Sequence, residues 1–224
     1  MEKARMELLF STARLESYQS KEEHFANLRL IGKIAPKLCM LEICIRNIVN
    51  NILSQRLGDE WCESESQAKY RGKNLYNHQL VSKQNLGFWC EMIDKHRLHN
   101  HIFRFDKTFD LKAYDTANTN KFYHNGKKRL LRASHKSEIV LNWIHTLRNR
   151  AFHAENLLKT KIIMRDSKAT IAPRITTFIT IGDKHKLYFG VMPNKIEMFL
   201  DDCLDLIDEN LRSLITSVAQ GATD

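Results

Sequence analysis

Leu38, Leu41, Ile45, Ile48 and Ile52 are separated by 3, 4, 3 and 4 residues, the spacing that lines apolar side chains along one helix face. A second run does the same: Val140, Ile144, Leu147, Ala151, Ala154 and Leu158 step by 4, 3, 4, 3 and 4. Two such stripes point to helices packed on each other around a shared core. The first predicts a helix from about Lys21 to Leu57, with Pro36 either bending it or starting a new helix and Gly58 stopping it. The second predicts a helix from about Ser137 to Leu158.

The remaining segments are shorter. Leu8, Leu9, Ala13 and Leu15 give a helical stripe over Glu2 to Tyr18, and Leu86 to Ile93 reads as a short buried helix. Residues 59–84 are polar and loop-rich, and residues 105–125 read as loop with short helical turns. Over 161–192 the character changes: Ile175, Phe178, Ile179 and Ile181, then Leu187, Tyr188, Phe189 and Val191, flank Gly182-Asp183-Lys184-His185 and predict a β-hairpin. Pro193-Asn194 opens a last helix, about 194–217, with Asn194 as N-cap and Glu197 at the third position. Its inner face is Ile196, Phe199, Leu200, Cys203, Leu206, Ile207 and Leu214, and the end should fray after Val218. The expected fold is mainly α, a helical bundle with a small β-hairpin before the C-terminal helix, in one domain over 1–224. With 8 Gly and 3 Pro in 224 residues, an all-β sandwich is excluded for want of turn residues.

No run of about 18 apolar residues suggests a membrane span, and MEKARMELLF lacks the apolar centre of a signal peptide. Cytoplasmic is the expectation, with no membrane partner. Cys39, Cys44, Cys62, Cys90 and Cys203 are odd in number and without CxxC spacing, so they read as reduced, mostly buried thiols.

The net charge is +9, unevenly placed. Between Asn120 and Arg150 lie Lys121, Lys127, Lys128, Arg129, Arg132, Lys136, Arg148 and Arg150, opposed by Glu138 alone, with His124, His135 and His145 among them. Near the C-terminus the sign reverses at Glu197, Asp201, Asp202, Asp205, Asp208 and Glu209. Such a basic stretch is either a solvated face or a polyphosphate partner's footprint.

On a helix, His145, Arg148, Asn149 and His153 share an arc of roughly 140° away from the apolar stripe. Phe152 points the same way. A face of this kind suits cover by RNA or by a second copy of the chain. Metal-free RNA cleavage needs a group to take the 2′-hydroxyl proton, one to protonate the 5′-oxygen, and a cation for the phosphorane. His transfers protons near neutral pH and Arg grips phosphate with two parallel bonds. One His is thin for both transfers, whereas two chains about a two-fold axis would supply two His and two Arg.

Arg148-Asn149-Arg150-Ala151-Phe152-His153 resembles the Arg-x4–6-His motif of the HEPN superfamily in its Arg-Asn-x3-His form. Three further stretches look like its Abi-like, abortive-infection branch: Ser11-x2-Arg14-x3-Tyr18, Leu41-Glu42-x3-Arg46-Asn47, and Leu86-Gly87-Phe88-Trp89, where relatives have Phe first. The resemblance implies a HEPN-type bundle, a homodimer, and a metal-independent endoribonuclease acting as a toxin in phage defence or beside an antitoxin of protein or RNA. Arg148 and His153 match its catalytic pair and Asn149 the polar position between. Where many relatives carry a second His after the motif, this chain has Ala154, so proton transfer rests more on His153.

Glu42 and Arg46 are either a surface ion pair or, with Asn47 and His145, a lining of the site. Lys127, Lys128, Arg129, Arg132 and Arg150 are candidate phosphate contacts. His96, His99 and His101 lack the spacing of a metal site, and the chemistry calls for no metal and no cofactor. Trp61, Trp89 and Trp143 read as core or interface anchors. The runner-up function is a non-catalytic RNA-binding or regulatory HEPN module, and a third is a dimerisation protein with incidental charge.

Overall fold

The computed structural model describes residues 3–215 apart from 107, 125, 166–167 and 183–184. The chain is mainly helical, with three antiparallel strand pairs among the described residues. The expected N-terminal helix is two pieces, α1 (Lys3–Phe10) and α2 (Thr12–Leu15). Ser11 breaks it: its φ of 60° lies outside helical space, and its hydroxyl accepts the Arg14 amide.

The spine is α3 (Lys21–Leu57), capped by the Ser20 hydroxyl on the Glu23 amide and ended at Gly58, where φ is 90°. Pro36 lies inside α3 and starts no new helix. Buried Ile34 and Leu38 hold the chain in the core on either side of it. The buried row is Ile34, Leu38, Leu41, Ile45, Val49 and Leu53. Ile48 and Ile52 are half-buried at its edge, because a strict 3.5-residue spacing drifts around a 3.6-residue helix.

Next come α4 (Trp61–Ser64), α5 (Asn77–Ser82), α6 (Leu86–Lys95) and α7 (His99–Ile102), then α8 (Ala133–Phe152) and α9 (Ile196–Ile207). α3 packs against α6, α8 and α9. Trp61, Trp89 and Trp143 are all in the core, where Trp143 and Phe199 meet edge to face at 5.3 Å. The acids of α9 face the lysines of α3: Lys37 Nζ lies 2.6 Å from Asp201 and Lys33 Nζ 3.6 Å from Glu197.

Both long boundaries near the C-terminus move. α8 begins at Ala133 and stops at Phe152, so Ala154 and Leu158 do not extend its stripe. Asn194 does not cap α9: Pro193–Lys195 is a 3-10 turn and α9 starts at Ile196. α9 stops at Ile207, helix resumes over 211–215, and Leu214 is exposed rather than inward. The expected fraying after Val218 lies outside the described residues.

The strands are β1 (Lys121–His124), β2 (Lys127–Leu130), β3 (Thr160–Arg165), β4 (Lys168–Pro173), β5 (Ile175–Ile181) and β6 (His185–Val191), paired consecutively. β5–β6 is the expected hairpin, in register Ile175 to Val191 and Ile181 to His185. The 161–192 segment thus holds two hairpins rather than one, and β1–β2 replaces part of an expected loop. β5 packs on α8, placing the hairpin against the bundle. Gly190 is required there, since a Cβ would lie 2.6 Å from Pro173 Cγ.

The cysteines are free: Cys62 and Cys203 are buried, Cys44 and Cys90 half-buried, and Cys39 exposed. Burial pushes Cys62 up to about 11 and Cys90 up to about 12, so both stay thiols. No described helix is long and apolar enough to cross a membrane.

Candidate functional site

At the C-terminal end of α8, four polar side chains form a connected row. Arg148 Nε donates to Glu42 Oε2 of α3 at 3.1 Å, and Arg148 Nη1 donates to Asn149 Oδ1 at 3.5 Å. Asn149 Nδ2 lies 3.1 Å from His145 Nε2. With the amide donating, the imidazole proton sits on Nδ1. The guanidinium carbon is 5.3 Å from the ring centre of Phe152, itself half exposed. Arg148 is therefore fixed at Nε and Nη1 and against a ring.

Glu42 pairs with Arg148 of α8 rather than with Arg46 on its own helix. Arg46 Nε instead donates to its neighbour Asn47 at 3.2 Å, one turn along α3. Burial, then the Arg148 charge, lowers the His145 pKa, and Glu42 and Glu91 oppose this more weakly. The lowered pKa favours the neutral imidazole, which suits accepting from Asn149. Gly87 at the start of α6 lies against it, and a Cβ there would come within 3.4 Å of His145 Nε2.

His153 lies just past the last helical residue. It is the C-cap of α8, with an exposed side chain, and its amide donates to Asn149 O at 3.1 Å. Ala154 follows at φ 49° and turns the chain away. The helix closes locally, with the Ala154 amide donating to Ala151 O and the Glu155 amide to Arg150 O, both at 2.9 Å, and long-range bonds hold the segment that follows. Buried Asn27 of α3 donates from Nδ2 to Glu155 O and to the Tyr18 hydroxyl, both at 3.0 Å, and accepts the Leu157 amide at 2.8 Å. Arg14 donates to Ala154 O at 2.9 Å, and Asn156 to Ser17 O at 2.8 Å. These bonds hold 154–157 in place beyond the end of α8.

Arg150 is committed elsewhere. It and Arg174 both pair with Glu155. Burial pushes the Glu155 carboxyl up, but the Arg174 hydrogen bond and the two guanidiniums outweigh it and hold the pKa below its ordinary value. As a phosphate contact, Arg150 would have to leave that pair.

Lys127, Lys128, Arg129 and Arg132 are exposed and lie at the other end of α8. Sixteen residues of helix at 1.5 Å each put Arg132 about 24 Å from Arg148. The structure therefore does not bring these cations to the Arg148 row. The three histidines diverge as well: His101 lies 3.4 Å from Arg56, His99 lies 3.9 Å from Asp94, and buried His96 Nε2 has no hydrogen-bond partner among the described residues.

Asn27, Gly87 and Tyr123 are absent from the sequence-derived residues. Nothing local marks Asn27. For Tyr123 a signal exists, because Asn125-Gly126 between two short polar-apolar runs is a hairpin signature overlooked when the segment is read for helical period. Compared with family models, with curated proteins and with solved structures, the chain matches none of them.

Proposed function

We propose that the chain is a metal-independent endoribonuclease of the HEPN type, acting as an abortive-infection or toxin–antitoxin toxin in the cytoplasm, with its site completed by a second copy. The observation that supports this best is the fixed guanidinium of Arg148, held by Glu42 and Asn149 beside exposed Phe152, with His153 at the adjacent helix end. A preset cation is what a developing phosphorane charge requires.

In this reading His153 of one copy takes the 2′-hydroxyl proton as the 2′-oxygen attacks phosphorus. The bond to the 5′-oxygen breaks, and the partner copy's His153 supplies that oxygen's proton. The products are a 2′,3′-cyclic phosphate and a 5′-hydroxyl, and the exchanged protons balance. Arg148 stabilises the phosphate charge, and Asn149 orients Arg148 against neutral His145. Exposed Phe152 and Ile43 flank the row and suit a two-fold contact.

The test maps RNA ends after induction of wild type and His153→Ala, with purified protein assayed in chelator. New cyclic-phosphate ends that persist in chelator and vanish in the variant support the proposal. Activity restored only by Mg²⁺, or cutting by His153→Ala at the wild-type rate, rejects it. One observation favours the runner-up, a module that binds RNA without cutting: the Glu42 carboxylate offsets the Arg148 charge. RNA retention with no new ends would decide for it.

A further inference from the structure

The β1–β2 register pairs Lys121 with Leu130, Phe122 with Arg129, Tyr123 with Lys128 and His124 with Lys127. Alternation along a strand then sorts the side chains. Lys121, Tyr123, Lys128 and Leu130 share one face, and Phe122, His124, Lys127 and Arg129 the other. Phe122 is buried and anchors the hairpin edge-on against His135 of α8, with ring centres 5.8 Å apart. Tyr123 on the opposite face is 67% exposed, with Lys128 Nζ 6.0 Å from its ring centre. Among the described residues, no carboxylate forms an ion pair with Lys121, Lys127, Lys128, Arg129 or Arg132.

An exposed ring set among cations that nothing neutralises matches a chain of phosphates with flat bases between them. We propose that the β1–β2 hairpin is a docking platform for single-stranded nucleic acid, on which Tyr123 stacks an unpaired base while Lys121 and Lys128 on the same face hold backbone phosphates. A duplex offers the same phosphates, but its bases are already stacked, so Tyr123 gains nothing from it. A lipid surface is a poorer match, because β2 reads Lys127-Lys128-Arg129 and carries charge on both faces, whereas a plane of headgroups meets one. Arg132, where the hairpin meets α8, stands about 24 Å from Arg148 along the helix. The platform anchors the strand and takes no part in bond breaking. It rests on the RNA partner of the proposed function and not on its chemistry.

The test is fluorescence anisotropy of the full chain with a labelled 2′-O-methyl oligoribonucleotide, single-stranded or annealed to its complement, which no 2′-hydroxyl mechanism can cleave. Tyr123→Ala is expected to weaken single-strand binding roughly tenfold and leave duplex binding unchanged, while Tyr123→Phe keeps wild-type affinity. Equal losses on strand and duplex, or no loss on either, overturn the proposal. So does Tyr123-dependent binding to phosphatidylserine vesicles by a protein that ignores the oligonucleotide. A protein that binds as expected but never cuts RNA keeps the platform and loses the nuclease. One that cuts RNA and whose binding ignores Tyr123 keeps the nuclease and loses the platform.

Discussion

The two ends of α8 use cations in opposite ways. At the N-terminal end, Lys127, Lys128, Arg129 and Arg132 are exposed and unpaired among the described residues, carried on a two-stranded hairpin. At the C-terminal end, Arg148 is half-buried and fixed to Glu42 and Asn149, while Arg150 and Arg174 share Glu155. Loose cations adapt to any polyanion and release counterions, and their effect fades with salt. A cation fixed by neighbours costs no rearrangement when charge develops in front of it. The same residue types thus suit adhesion at one end and chemistry at the other.

The contrast breaks first at Arg148. Arg148→Lys keeps the charge but cannot hold Glu42 and Asn149 together, so single-turnover cleavage should fall about 100-fold or more. Its thermal melt should stay near wild type, because the side chain is partly exposed. A smaller loss would mean that charge alone matters and that the two ends do not differ.

Asn27→Ala should separate structure from chemistry. It removes three hydrogen bonds and leaves the Leu157 amide and the Glu155 carbonyl without that partner. A cost of about 3 kcal/mol is expected, read as a lower denaturant midpoint. Cleavage should fall as well, since the loop after His153 loses its hold. An unchanged midpoint would mean that the segment is held by other contacts.

At the far end, neutralising Lys127, Lys128, Arg129 and Arg132 should flatten log K against log salt by about 0.7 for each lost contact to a single strand. The cleavage rate at saturating RNA should be unchanged. An unaltered slope would reduce the patch to a solvated face.

The smallest effect concerns pH. His24 is buried among Phe10, Tyr18 and Phe25 with neither ring nitrogen bonded, and burial, then Arg14, lowers its pKa. The unfolded chain binds a proton near pH 6.5 that the folded chain resists. The His24 contribution is therefore complete above about pH 6.5 and declines as pH falls toward the folded pKa. Urea unfolding at several pH values should show a shallower decline in His24→Phe than in wild type, and parallel curves would contradict this. His145, lowered chiefly by burial, acts in the same direction.

Much of the helical architecture was legible because its signals are local. The α3 and α8 stripes, Gly58, the buried α6 and the β5–β6 hairpin follow from periodicity and turn chemistry over a few residues. Boundaries were read less well. Ser11 interrupts the first helix through its own backbone conformation, and β1–β2 carries charge where a strand search looks for apolar alternation. At the site, the shared placement of Arg148, Asn149 and His145 was visible in their spacing, but the end of α8 at His153 was not.

By itself the sequence determined most of the inward row of α3, α8 and α9, because a 3.6-residue period converts spacing into direction, but not of the N-terminal helix, where Leu8 and Leu9 are exposed. It also determined that one stretch would be basic. Tertiary structure decided what those charges touch. Glu42 and Arg148 are 106 residues apart, and Asn27 and Leu157 are 130 apart. Hydrogen bonds over such separations depend on how whole helices pack. They also hold the segment after α8, a helix that a local turn at Ala154 closes at Phe152 although its apolar stripe continues on paper.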